Sequence, residues 1–431
     1  MPTIAELEQQ ARECSGRGDM PGTERACRAI LDQDDKHLPS LRFLADFCLR
    51  SGNFPEAGSL LQQLIALTPD DADRYSQLGQ ALYRQDKKLE AAEAYKQYWQ
   101  LNPRNMMVYL ALGCLYVELD EIDKAAQVFS LGEAIDKRIL SLWREEGTNP
   151  DLKQMTKTAY DTLSRHHTDL HLQTVAKVGD ESELSRIRDA VWPLLDAREV
   201  SYAHDKQRSQ VFYIQYPEAP GFFERETLPW CEGFEAQFEE LKEEIIAGLD
   251  VEADGRPYLG DGHKLEGELW EPLVNKMSWA SVHLYSQGVA NPQVIDKFPK
   301  TCAALTQIPA ATYHGNPKEA FISVLAPNTR IPEHYGVSSA VLTVHLPIIV
   351  PGDCGLMVNG EVRVPEEGKI LAFDDTWEHA AWNNTDQPRV VLIFELWHPA
   401  LTELEKEAIL ETFYVRDAWV KNRTIGGLSS R

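Results

Sequence analysis

The chain has 431 residues, too many for one ordinary core, so two or three domains are expected. Its 43% hydrophobic and 26% charged residues are typical of a globular protein in water. The formal charge of −24 opposes binding to a phosphate backbone, which needs a concentrated basic face, so no nucleic-acid partner is expected. No stretch approaches the ~18 apolar residues of a membrane helix. The start, "MPTIAELEQQARECSGRGD", lacks a basic-then-apolar leader, so no membrane partner is expected either. The seven cysteines are scattered and never form CxxC, which fits reduced thiols in a cytoplasmic protein.

The N-terminal third repeats with a period of 34 residues. Leu41, Leu44, Ala45, Ala57, Leu61 and Pro69 correspond at that spacing to Tyr75, Leu78, Gly79, Ala91, Tyr95 and Pro103. They correspond again to Tyr109, Leu112, Gly113, Ala125 and Phe129. A bulky residue, a small residue one turn on, then Ala and an aromatic on a second helix resembles the tetratricopeptide repeat. Small residues at 45, 79 and 113 allow paired helices to approach closely, and each pair buries its open face on the next. The expected extent is 1–137, with the best copies at 38–71, 72–105 and 106–137 and a degenerate copy over 4–36. The resemblance implies a concave surface that holds a peptide or protein segment. The alternative is an array that only packs within its own chain or associates with itself; the oligomeric state is not legible.

Residues 138–209 read as a helical connector. Its His166, His167 and His171 include an i,i+4 pair on one helix face, but no acidic or cysteine partner follows at a matching step. Surface or cap histidines are expected there. A new domain is expected over 210–431, entered through Pro217, Pro220 and Pro229 and one amphipathic helix, "EGFEAQFEELKEEIIAGL".

From about 278 the period changes to that of strands. "WASVHLY", "AFISVLA", "SAVLTVHLPIIV", "GLMVN", "EVRVP" and "KILAF" alternate, "VVLIFELW" is continuous, and Pro, Gly and Asn turns separate them. That pattern predicts a closed or double-layered β-fold. Asn359-Gly360 predicts a type I′ hairpin, and Thr402 with Glu405 predicts a capping box at a final helix. His334 and His379 each follow a strand, 45 residues apart, with Arg389 ten residues further on. In a jelly roll such strand ends can converge on one mouth. Two imidazoles with open coordination positions suit Fe(II), and an arginine offers a planar fork to a carboxylate. Taken alone, His379 reads first as a core histidine bonded to Asp374 or Asp375 and packed by Trp377 and Trp382.

The wording is more specific. "FISVLAPNTRIPEHYGV", "HLPIIVP", "FDDTWEHAAWNN", "RVVLIFELWHP" and "LTELEKEAI" together resemble the aspartyl/asparaginyl β-hydroxylase family over roughly 210–412. The resemblance implies a double-stranded β-helix (a jelly-roll or cupin-like domain) behind the repeats. It also implies an oxygenase that uses Fe(II), 2-oxoglutarate and O2 to hydroxylate a C–H bond. The implied target is the β-carbon of Asp or Asn in a peptide or protein recruited by the repeats.

Carried over residue by residue, His334 and His379 would bind the metal and Arg389 would pair with the distal carboxylate of 2-oxoglutarate. Ser323 would hydrogen-bond that carboxylate, and His345 would lie near the chelating end. Gly336 stands where most iron oxygenases carry a carboxylate, as it does in this family. The family's arginines on the strand before His345 are here Val341 and Thr343, and Arg330 is the expected compensating cation. Asp374 and Asp375 are expected to be turn and supporting groups, and His398 structural, while His283 and His314 have no assigned partner. A non-catalytic repeat scaffold with a degenerate oxygenase domain, a hydroxylase of a small molecule, and a metal-binding cupin-like protein without a keto acid are the competing readings.

Overall fold

A computed structural model describes residues 1–260, 267–425 and 427–429. The chain divides into two compact units, one of residues 1–167 and 417–431 and one of 168–416.

The first unit is built of helix pairs: α1 (Ile4–Gly16), α2 (Met20–Leu31), α3 (Leu38–Ser51), α4 (Phe54–Leu67), α5 (Ala72–Tyr83), α6 (Lys88–Leu101), α7 (Met106–Glu118) and α8 (Ile122–Ile135). The 34-residue period is the length of one such pair with its turns. The degenerate copy over 4–36 is a complete pair, α1 and α2, and Thr3 and Glu6 start it with a capping box. The small residues at 79 and 113 have the expected cause. A Cβ on Gly79 would crowd the Tyr95 ring, and one on Gly113 would overlap Phe129. Leu41, Ala45, Ala57, Leu61, Ala91, Ala125 and Phe129 are all fully buried in one continuous core.

The unit boundaries differ from those expected at 137/138 and 209/210. The connector is mostly one 29-residue helix, α9 (Pro150–Val178), and the boundary falls within it. The chain's last residues belong with the repeats: Arg423 Nη1 donates to Ser130 Oγ at 2.7 Å, and Thr424 N donates to Gln127 Oε1 at 2.9 Å. The helix histidines are not at the surface. His167 is 4% exposed and His171 1%, and His171 Nε2 bonds the Ile187 carbonyl at 2.6 Å. The Ile187 carbonyl, on the short helix Ser185–Asp189, satisfies an imidazole that periodicity alone would leave in water.

The second unit holds two antiparallel sheets. Its strands are β1 (Trp279–Ser286), β2 (Glu319–Leu325), β3 (Thr329–His334), β4 (Val341–Ile349), β5 (Cys354–Val358), β6 (Glu361–Arg363), β7 (Leu371–Phe373), β8 (His379–Asn383) and β9 (Arg389–Trp397). The larger sheet runs β7-β4-β9-β2-β1, extended by Phe222–Phe223 beside β7 and Arg256–Pro257 beside β1. The smaller runs β6-β5-β8-β3. From β2 to β9 the chain crosses between the sheets at every step except the β5–β6 hairpin, as in a jelly roll. β5 and β6 meet through Asn359 and Gly360, whose φ values of 51° and 81° are those of the predicted I′ turn. The helix expected over 232–249 is broken at 236–237 into Cys231–Glu235 and α10 (Phe238–Gly248). α11 (Glu403–Lys421) starts with the predicted box: Glu405 N donates to Thr402 Oγ1 at 3.2 Å, and Thr402 N to Glu405 Oε2 at 2.9 Å.

Candidate active site

Strand pairing brings the two histidines together. In the β8–β3 register His379 lies directly opposite His334, and their ring centroids are 3.9 Å apart. The register then slips: three residues of β8, His379 to Ala381, oppose four of β3, Ile331 to His334. This bulge re-aims His334 so that both it and Ile331 line the cavity. Each ring is oriented through its other nitrogen. His334 Nδ1 bonds the Pro332 carbonyl at 2.8 Å, and His379 Nδ1 the Trp377 carbonyl at 2.9 Å. Both Nδ1 atoms thus carry the proton, and both Nε2 lone pairs are left for a Lewis acid. Burial pushes both imidazoles below the usual histidine range, and His334's nearness adds to the shift of His379, so both are neutral near pH 7. The bonding of His379 to Asp374 or Asp375 side chains considered above does not occur; Asp374 instead accepts from Thr376 and Gln207.

The histidines face a cavity of about 1200 Å³ within the second unit. Inward positions of the larger sheet supply its far wall: Ser323 from β2, His345 from β4 and Arg389 from β9. Arg389 is 3% exposed and donates one long bond, Nη1 to the Gly355 carbonyl at 3.5 Å. Its Nε and Nη2 have no hydrogen-bond partner among the described residues. Burial lowers its pKa to about 10, which leaves the guanidinium charged. His345 is 8% exposed, its Nδ1 is likewise without a partner, and burial with Arg389 beside it depresses its pKa to about 3. A buried cation and a buried imidazole without partners in one wall form a cradle for an anion.

Gly336 also has a geometric reason. A Cβ there would overlap the carboxyl group of Asp375, so Asp375 occupies the space where a carboxylate two residues after His334 would begin. Asp375 Oδ2 accepts from Thr343 Oγ1 at 2.9 Å, while Oδ1 is buried without a partner. Burial and the Asp374 charge raise the Asp375 pKa to about 8. Among the described residues no cluster of three His, Cys, Asp or Glu groups is set to hold a metal.

Arg330 does not reach this site. It lies on the outer face of β3, paired with Glu333 at 2.7 Å and stacked over the Trp382 ring at 5.5 Å. The alternation of β3 puts Ile331 inside and Arg330 outside, so it does not compensate for Thr343. Val341 is buried and off the cavity wall; Thr343 is on it. His398 stacks on Tyr216 at 3.7 Å, a structural contact, and His314 lies against Tyr414. Sequence reasoning missed Trp279, whose indole N–H donates to Ser323 Oγ at 3.2 Å. It also missed Lys318 and Glu395, which pair at 2.7 Å on the cavity wall. The inward alternation of β1, β2 and β9 carried that signal, once the inward face is known.

The fold and the two-histidine cavity define a jelly-roll domain of the metal-oxygenase type behind a helical repeat array. Residues 235–399 match the family model for aspartyl/asparaginyl beta-hydroxylase, and residues 16–82 match that for the tetratricopeptide repeat. The segment 235–399 is therefore similar to the aspartyl/asparaginyl beta-hydroxylase family. Human aspartate beta-hydroxylase domain-containing protein 2 is 37% identical over 134 residues, covering 30% of this chain and 36% of that protein. Human aspartyl/asparaginyl beta-hydroxylase is 31% identical over 140 residues, covering 32% and 18%. The ornithine lipid ester-linked acyl 2-hydroxylase of Rhizobium tropici is 30% identical over 183 residues, covering 42% and 61%. Each match spans less than two thirds of the relative's own length.

Proposed function

We propose that the chain is an Fe(II)- and 2-oxoglutarate-dependent oxygenase that hydroxylates a C–H bond. The target we propose is the β-carbon of Asp or Asn in a peptide segment held by the repeats. The observation that carries this reading is Arg389: a charged guanidinium, buried, with two nitrogens unbonded, in the same cavity as two neutral imidazoles. Leaving such a cation unpaired is costly, and a dicarboxylate that reaches it restores the lost bonds.

His334 and His379 would hold the metal through Nε2, with their tautomers fixed by the Pro332 and Trp377 carbonyls. Arg389 would grip the distal carboxylate of the keto acid bidentately, with Ser323 as a further donor held in place by Trp279. His345 offers its unpartnered Nδ1 toward the cavity. The bound metal and keto acid would supply an oxidant that inserts one oxygen atom of O2 into the C–H bond, with succinate and CO2 as co-products. The apolar wall of Phe321, Leu325, Ile331, Val391 and Ile393 keeps water from the cavity interior. Support for the target comes from the relative named aspartyl/asparaginyl beta-hydroxylase.

The test is succinate formation from 2-oxoglutarate under air with Fe(II). The intact protein should release succinate and His379→Ala should not. A wild-type protein that binds iron but yields no succinate with any peptide would favour the repeat scaffold with a silent domain.

A further inference from the structure

Strands β2 and β9 carry a second group of charges at the end of the cavity away from Arg389. Glu395 lies six residues along β9 from Arg389, roughly 20 Å at the rise of a strand. Glu319 lies four residues before Ser323 on β2. Lys318 Nζ donates to Glu395 Oε2 at 2.7 Å, with side chains only 12% and 13% exposed. Glu319 Oε1 accepts from N and Nε2 of Gln287 at 2.9 and 2.8 Å, and Oε2 lies 3.9 Å from His283 Nδ1. Burial and the nearby Arg256 depress the His283 pKa to about 4, so at neutral pH this imidazole gives Glu319 no positive partner. Burial and the Glu395 charge in turn raise the pKa of Glu319. Asp375, kept mostly protonated at neutral pH by its pKa of about 8, adds a neutral carboxyl group bonded to Thr343, the residue opposite Glu395 in the β4–β9 register. Its Oδ1 is buried with no hydrogen bond.

The remaining cations on the cavity wall are placed elsewhere. Lys318 is committed to Glu395, Arg389 sits at the opposite end, Arg208 lies over the Tyr202 ring at 4.8 Å, and Arg256, though near His283, is exposed. Aromatic rings line the same wall: Phe321 is 4.9 Å from the His283 ring and 5.4 Å from Tyr258. Residues 168–416 carry 40 Asp and Glu against 20 Lys and Arg, a net −20.

We propose that this wall recognises a lysine or arginine side chain flanking the hydroxylated residue, so that the substrate segment is basic. The chemistry attributed to that segment rests on the oxygenase reading; the binding preference does not. Carboxylates in a poorly hydrated wall form charge-assisted bonds to ammonium or guanidinium groups, and aromatic faces add cation–π attraction. The negative charge of the unit raises the encounter rate for a cationic segment.

The test is calorimetric titration of the metal-free full chain with three capped tripeptides, arginine-asparagine-arginine, citrulline-asparagine-citrulline and glutamate-asparagine-glutamate. The arginine form should bind at least about tenfold tighter than its neutral citrulline counterpart, with the glutamate form weakest. Glu319→Gln should remove most of the gap between arginine and citrulline while keeping the wild-type melting transition. Equal binding of the arginine and citrulline peptides to the wild type overturns the proposal, and needs no variant. A gap that survives Glu319→Gln but vanishes at raised salt also overturns it, because the general field of the acidic unit then explains the preference. Failure of succinate formation with the arginine preference intact would sink the oxygenase reading alone; succinate formation without that preference would sink this one alone.

Discussion

In the proposed oxygenase Arg389 and Trp279 would act on the same ligand by different physics, and two substitutions separate them. Arg389→Ala removes a charge-assisted fork worth about 1.5–3 kcal/mol, so 2-oxoglutarate affinity should fall roughly 10- to 100-fold with Fe(II) affinity unchanged. Trp279→Phe keeps most of the ring packing against Tyr258 and deletes only the N–H to Ser323. A neutral bond of about 1 kcal/mol predicts a loss of roughly fivefold, measured by the same titration. Equal losses for the two variants would contradict these roles. Asp375 makes a different prediction. Its pKa rises from 3.8 unfolded to about 8 folded, so between those values the folded state holds a proton that the unfolded state releases. Stability from this group is therefore lost as pH rises through that window. Asp375→Asn cannot ionise, so its melting temperature relative to wild type should climb from pH 4 to pH 8 in metal-free protein. A flat difference would show that the carboxyl titrates normally. That His334, His379, Ser323 and Arg389 line one cavity was legible from spacing and wording. Trp279 was not, because an indole at a strand start reads as packing until its partner across the sheet is known. Arg330 misled because an arginine near a histidine in sequence says nothing of which face of β3 it takes.

At the scale of elements, the repeat pairs follow from a short list of small residues. Gly113 is the sharpest case, since the Phe129 ring occupies the place of its missing Cβ. Gly113→Ala should overpack the α7–α8 pair and cost about 1–3 kcal/mol in urea unfolding of the first unit, with 2-oxoglutarate binding unaltered. A cost near zero would mean that the pair relaxes freely. Helix pairs, the I′ turn at Asn359-Gly360 and the Thr402–Glu405 box were readable because each is set by residues within a few positions of one another. The bulge in β3 was not. It depends on pairing with β8 across 45 residues, and it decides that His334 faces the cavity. The broken helix at 236–237 and the buried histidines of α9 escaped for the same reason: tertiary partners overrode a local pattern.

Across the whole molecule, a repeat array precedes a jelly-roll domain, and the charge is uneven: of the total −24, residues 168–416 hold −20. The order of the two parts was visible in the change of period from 34-residue helix pairs to alternating strands. Their boundaries were not, because the unit boundary falls inside the continuous helix α9 and the last residues return to the repeats. The central claim is that the His334–His379 pair and Arg389 serve one metal-bound keto acid. It is tested most directly by anaerobic titration of the Fe(II)-loaded protein with 2-oxoglutarate, followed by visible absorbance. The account predicts a weak charge-transfer band that saturates and that is absent in His379→Ala. Iron binding with no band at any keto acid concentration would contradict it.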